Sequence, residues 1–176
     1  MYIRTTVSYK TGDYDLQIRY VNYSKHNGPF KCNLLDLAVD YEEIKLYHLI
    51  VLRHPRQLTV TPADSRIIIH EGETMTLTCK SVGGNPNSSV SWYRENVLIN
   101  EDWADNQNNV TLKFETGGKF YDDNKYSLLQ MNWTVKKEDD GVIFSCKSWN
   151  PKLEDGEKHK IVESRTMDVR CEWIIS

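Results

Sequence analysis

Two cysteines and a tryptophan carry the sharpest chemical signal in this chain: Cys79, Trp92 and Cys146. Paired thiols can be oxidised to a disulfide, and an indole close by can cover the bridge. Each of the three lies in a run where apolar and polar residues alternate. Cys79 closes TMTLTC, Trp92 follows thirteen residues later in SVSWYRE, and Cys146 ends DDGVIFSC. Other chemistries are poorly served. The histidines, His26, His48, His54, His70 and His159, show no H-E-x-x-H spacing, and no C-x-x-C pair occurs. A G-x-S-x-G elbow and a phosphate loop are both absent. Asp139 and Asp140 are neighbouring carboxylates, but their place just before Cys146 suits a turn entering a strand better than an acid–base pair. A metal site built from Cys32 or Cys171 with a histidine has no supporting spacing. The expectation is a protein that is not an enzyme, with no catalytic residue, no metal and no cofactor.

The elements that must position the three residues are strands. Met75, Leu77 and Cys79 alternate with Thr74, Thr76 and Thr78, so the first set faces a core. Val90 and Trp92 point inward while Ser91 and Tyr93 point outward. In NVTLKFE the inward set is Val110, Leu112 and Phe114, and Gly117-Gly118 ends the strand. Leu129, Met131, Trp133 and Val135 form another inward set, as do Val142, Phe144 and Cys146. Arg66–His70 and Val97–Ile99 are short strands, and a last strand lies near Ile161–Val169. Gly83-Gly84-Asn85-Pro86 is expected to be a turn.

Cys, Trp and Cys in this order on three strands is the pattern of an immunoglobulin-like β-sandwich, where they occupy strands B, C and F. The fold class is therefore all-β. Cys79 and Cys146 form the inter-sheet disulfide, and Trp92 and Phe144 belong to the core. A complete domain of I-set or C2-like type is expected over residues 63–170. Residues 1–53 look like the C-terminal half of another. Tyr14–Val21 has Leu16 and Ile18 at strand E spacing, Asn27–Cys32 has Phe30 two residues before Cys32, and Leu46–Leu52 is a final strand. Such a half exposes a sheet face and edges, so lower stability is expected of it. Residues 54–62, bracketed by prolines, are expected to be a linker, and residues 171–176 a tail. Cys32 and Cys171 pair with each other, link two chains or stay free; spacing does not choose among these.

A disulfide framework implies an oxidising compartment. Four N-x-S/T sequons, at Asn22, Asn87, Asn109 and Asn132, point the same way. Strand alternation turns Asn132 outward, Asn87 lies in a turn, and Asn22 and Asn109 flank strands, so glycosylation is expected at one or more. A net charge of −3 gives no reason to expect nucleic acid. No apolar run approaches the roughly 18 residues that cross a bilayer. Met1–Tyr9 lacks the apolar core of a signal peptide. The chain is expected at the cell surface or outside the cell, as part of a longer secreted or membrane-anchored protein.

The motifs YDLQIRYV and NGPFKC, followed by GGNPNSSVSWYRE and KKEDDGVIFSC, resemble two consecutive immunoglobulin domains of the echinoid, nephrin and Kirre group of adhesion receptors. The resemblance covers most of residues 14–149. It implies cell-surface adhesion through homophilic or heterophilic protein contacts, often by the sheet that holds strands G, F and C. The chain departs from the group at Phe30 and Phe144, where a Tyr is usual, at His26, where an Asp is usual, and in the long stretch Asn100–Lys125. The expected function is extracellular protein–protein recognition, of the cell–cell adhesion kind. Tyr93, Lys147 and Trp149 are the expected contact residues, with Trp149 alternatively in the core. The competing readings are a secreted binding module, an ectodomain piece of a receptor kinase or phosphatase, and a gene-model fragment with no function of its own.

Overall fold

A computed structural model describes residues 2–8, 13–36, 41–100, 110–119, 123–154 and 160–170. The chain divides into two units, Met1–Val51 and Leu52–Ser176.

The first unit holds two antiparallel hairpins. β1 (Tyr2–Ser8) pairs with β2 (Asp13–Arg19), and β3 (Gly28–Asp36) pairs with β4 (Tyr41–Leu49). The strand β1 is not evident in the sequence, because YIRTTVS has no clean alternation. Between the hairpins lies a single helical turn, α1 (Tyr23–His26). Asn22 caps it: its Oδ1 accepts from Ser24 N at 3.0 Å and from Ser24 Oγ at 2.7 Å. His26 is buried, and its Nδ1 accepts the Asn22 N–H at 2.7 Å. Two-stranded sheets cover little, so Leu16, Ile44, Leu46 and Tyr47 are exposed. The Cys32 thiol is free and exposed; Cys171 and the tail lie outside the described residues.

The second unit is a sandwich. Its strands are β5 (Arg53–Thr61), β6 (Arg66–His70), β7 (Thr74–Asn85), β8 (Ser89–Arg94), β9 (Val97–Ile99), β10 (Val110–Gly117), β11 (Tyr126–Thr134), β12 (Ile143–Trp149) and β13 (Ile161–Arg170). One sheet has the order β10-β11-β7-β5, the other β6-β13-β12-β8-β9. Alternation explains the split. In β7, Met75, Leu77 and Cys79 are buried between exposed or half-buried threonines; in β11, Leu129, Met131 and Trp133 are buried. A disulfide joins Cys79 to Cys146 across the sheets. Trp92 is fully buried beside it, with its Nε1–H on the Leu129 carbonyl at 3.2 Å. Phe144 meets Trp133 edge-on, with ring centroids 4.9 Å apart.

Three sequence expectations are corrected. Residues 54–62 are not a linker: they lie in or beside β5, which pairs antiparallel with β7. Leu58 and Val60 are buried there between exposed neighbours. Pro55 is tolerated because the ladder is irregular between Pro55 and Gln57, where the missing N–H is not needed, and Pro62 follows the strand. Gly83-Gly84 is not the turn either. Both glycines belong to β7 with φ of +85° and +69°, a left-handed stretch that only glycine adopts freely. A Cβ on Gly84 would collide with Ser88 Oγ. The turn comes at Pro86-Asn87. Finally, Phe114 is 57% exposed. Its register partner Leu129 is buried, but β10 is an edge strand with a neighbour on one side only.

After β5 the chain crosses to the other sheet, where β6 pairs parallel with β13. Arg165 holds the crossing. Its Nη2 donates to the Val60 carbonyl at 3.0 Å and its Nε to the Pro62 carbonyl at 2.9 Å.

Candidate protein-recognition face

Register decides what the outer face of the five-stranded sheet displays. Trp92 and Cys146 are opposite each other and point inward. Their neighbours therefore point outward: Ser89, Ser91 and Tyr93 on β8, and Ile143, Ser145, Lys147 and Trp149 on β12. Pairing to β13 adds Val162, Ser164 and Thr166, and pairing of β8 to β9 sets Leu98 beside Tyr93. Trp149 is half-buried on this outer face, two residues beyond Lys147, while Ser148 between them is inaccessible.

Two cations sit on rings here. Lys147 Nζ stands 4.1 Å from the centre of the Tyr93 ring, and Lys160 Nζ 5.1 Å from the Trp149 ring. Around them the floor is hydroxyl: Ser145 Oγ and Ser164 Oγ are 3.0 Å apart. Exposed aliphatic side chains, Leu98, Ile143 and Val162, border the pairs. Aromatic rings present large contact area at fixed geometry, and a cation over a ring keeps its charge in one place. Such a surface can bind.

The other sheet presents a different outer face. Thr59 and Thr61 on β5, Thr74, Thr76 and Thr78 on β7, and Thr111 on β10 share it with Asn132 and Thr134 on β11. Asn132 Oδ1 accepts from Thr76 Oγ1 at 2.9 Å, and its Nδ2 donates to Thr111 Oγ1 at 3.3 Å. Asn132 is thus a sequon residue in the middle of a polar sheet face. Asn87 lies in the turn after β7 with its Nδ2 on the Tyr126 carbonyl at 3.4 Å. Asn22 is exposed, and Asn109 lies outside the described residues.

Buried polar groups close the sandwich at both ends. At one end the Asp139 carboxylate collects Arg94 Nη2 at 2.9 Å and Nε at 3.1 Å, Trp133 Nε1 at 2.8 Å and the Lys136 N–H at 3.0 Å. This ties β8 to the turn before β12. At the other end Lys125 is buried and its Nζ donates to Asn85 Oδ1. Burial pushes the Lys125 ammonium below its ordinary range, Arg53 pushes it further, and Asp123 opposes both. Asn150 Nδ2 reaches the Arg53 and Asn85 carbonyls, each at 2.8 Å. None of these long-range pairs is visible in the sequence, since 45 residues separate Arg94 from Asp139 and 40 separate Lys125 from Asn85. Among the described residues no helix is long and apolar enough to cross a membrane.

Residues 55–169 match the immunoglobulin domain family. A crystal structure of Rst D1-D2 is similar at a TM-score of 0.66 and 19% identity, over 96% of this chain and 75% of that one. The full ectodomain (Ig1-Ig3) of mouse nectin-like molecule 4 aligns at a TM-score of 0.48 and 21% identity, over 77% of this chain and 40% of that one. The likeness to the first is one of fold.

Proposed function

The chain belongs to the immunoglobulin domain family, and on that premise we propose that it works in protein–protein recognition at a cell surface, of the cell–cell adhesion kind. The observation that carries this reading is the contrast between the two outer faces. One combines Tyr93, Lys147, Trp149 and Lys160 with uncovered aliphatic side chains. The other also has a cation over a ring, Lys80 on Tyr126, but sets it beside hydroxyls and a sequon asparagine in place of exposed aliphatic side chains. Rings set among apolar neighbours are where binding energy concentrates in protein interfaces. The Cys79–Cys146 bridge and the sequons support an extracellular setting. Kinship with the echinoid, nephrin and Kirre group is part of this reading, supported by the motifs before Trp92 and Cys146. So is the reading of the first unit as the second half of another sandwich, supported by its pair of hairpins.

The test is a binding assay with the chain displayed on cells. Tyr93→Ala and Trp149→Ala should each weaken aggregation or partner capture at least about tenfold, near 1.4 kcal/mol, at unchanged display. Unaltered binding by both variants would refute the proposal. Loss of display without loss of affinity in Trp149→Ala would make that residue structural.

A further inference from the structure

Resting on that reading, we infer that Asn132 carries an N-linked oligosaccharide, and that this sugar takes the four-stranded sheet out of protein contact. Rings and cations alone do not choose between the two outer faces. Lys80 Nζ stands 4.6 Å from the centre of the Tyr126 ring on one, as Lys147 stands over Tyr93 on the other. The sequon Asn132-Trp133-Thr134 breaks the tie. Asn132 lies on β11, an inner strand of the order β10-β11-β7-β5. Met131 and Trp133 on either side of it are buried, so its side chain stands on the outer face. Register sets Thr76 of β7 and Thr111 of β10 on its two flanks, and sets the sequon residue Thr134 beside Thr74. These neighbours are short, and both hydrogen bonds of the Asn132 amide lie at the exposed surface. The amide nitrogen carries two hydrogens. One serves the Thr111 Oγ1 at 3.3 Å, and the other is the one a sugar replaces. The sheet therefore keeps both side-chain bonds of Asn132 with the oligosaccharide in place.

The donor is a lipid-linked oligosaccharyl diphosphate. A bond forms between Asn132 Nδ2 and C1 of the first sugar while the bond from C1 to the diphosphate oxygen breaks. The lipid diphosphate leaves, and the amide proton passes to a base of the transferase. Because the folded amide is engaged by Thr76 and Thr111, transfer precedes the closing of β7 and β10 on β11. The sugar is then rooted on an inner strand. Lys80 faces Leu128, four residues along β11 from Asn132, or about 13 Å, which a chain of a few sugars spans. A protein contact needs a dry, well-packed centre, and a bulky, hydrated group prevents one there. None of the four sequons lies on the strands of the five-stranded sheet, so the face with Tyr93, Lys147 and Trp149 has no sugar rooted on it.

The experiment makes the full chain behind a cleavable secretion leader in cells that perform the transfer, and maps the protein from cells and medium alike. Release by a peptide N-glycosidase in heavy-oxygen water turns an occupied asparagine into labelled aspartate, and most Asn132 should be converted. Thr134→Ser should keep the oligosaccharide; Asn132→Gln and Thr134→Val should each lose one. Shielding is read with antibody fragments selected on the Asn132→Gln chain, keeping those whose binding Thr78→Arg abolishes. They should bind Thr134→Val equally, which shows that they read the bare sheet and not the new side chain. They should bind the wild type at least about a hundredfold more weakly, the loss that blocking a central contact brings. Unmodified Asn132 in the wild type would overturn the inference, as would full binding of the fragments to a chain mapped as modified. Either result leaves recognition by the five-stranded sheet standing. An occupied, shielded Asn132 with Tyr93→Ala and Trp149→Ala binding as the wild type does would overturn that reading and keep the sugar.

Discussion

Asp139 is the residue whose loss should cost the second unit most, short of the disulfide. Its carboxylate is buried and accepts from Arg94, Trp133 and the Lys136 backbone at once. Removing one partner of a buried, hydrogen-bonded pair leaves the other uncompensated and costs about 3 kcal/mol. We predict that Asp139→Ala lowers stability in urea unfolding by about that amount, and that Asp139→Asn, which keeps acceptor and shape, costs less. Lys125 gives a dependence on pH. Its folded value is lowered, by burial first and by Arg53 second. Between that lowered value and the ordinary lysine value of 10.5, the unfolded chain holds more protons than the folded one. Stability from this residue therefore rises with pH across the window; below it both states are charged and the slope vanishes. Lys125→Met should flatten the alkaline rise in urea midpoint relative to wild type. An unchanged slope would mean that the ammonium is already as well solvated as in the unfolded chain.

At the scale of elements, the crossover from β5 to β6 hangs on one guanidinium. Arg165 satisfies the Val60 and Pro62 carbonyls just where the backbone leaves one sheet for the other. Arg165→Met should cost about 2 kcal/mol through the two unsatisfied acceptors, and hydrogen exchange should quicken in β6 before it does in β11. The strands β7, β11 and β12 are legible in the sequence because each is buried on one face only, so Met75, Leu77 and Cys79, or Leu129, Met131 and Trp133, stand out by period. The strand β5 is not, since its signal is Leu58 and Val60 alone and two prolines flank them. Gly83-Gly84 has the composition of a turn; that it is an irregular strand depends on Pro55 and Ser88, residues outside the local window. Alternation tells which face Phe114 occupies but not whether anything lies over it. Parity along β8 and β12 is likewise a property of sequence, whereas the seating of Lys147 on the Tyr93 ring needs the neighbouring strand in register. The Arg94–Asp139 and Lys125–Asn85 pairs form only when the sandwich closes.

At the scale of the molecule, the two units are unequal. The first has two two-stranded sheets with exposed Leu16, Ile44, Leu46 and Tyr47, and isolated hairpins are marginal in water. Amides of β3 and β4 should exchange roughly a hundredfold faster than those of β11 and β12, the interval expected between local and global opening; equal protection would show that the first unit is covered in solution. The second unit leans on its bridge, and replacing Cys79 and Cys146 by Ala should cost about 4 kcal/mol for a loop of 67 residues. The parallel pairing of β6 with β13 has a mechanical consequence. A pull on the start of β6 and the end of β13 in opposite directions loads their whole ladder in shear, so its hydrogen bonds must fail together and not one by one. The covalent link from Cys79 to Cys146 then carries the tension past the 67 residues between them. In a single-molecule stretching experiment, reduction should lengthen the fully extended chain by roughly 240 Å, at about 3.6 Å per residue.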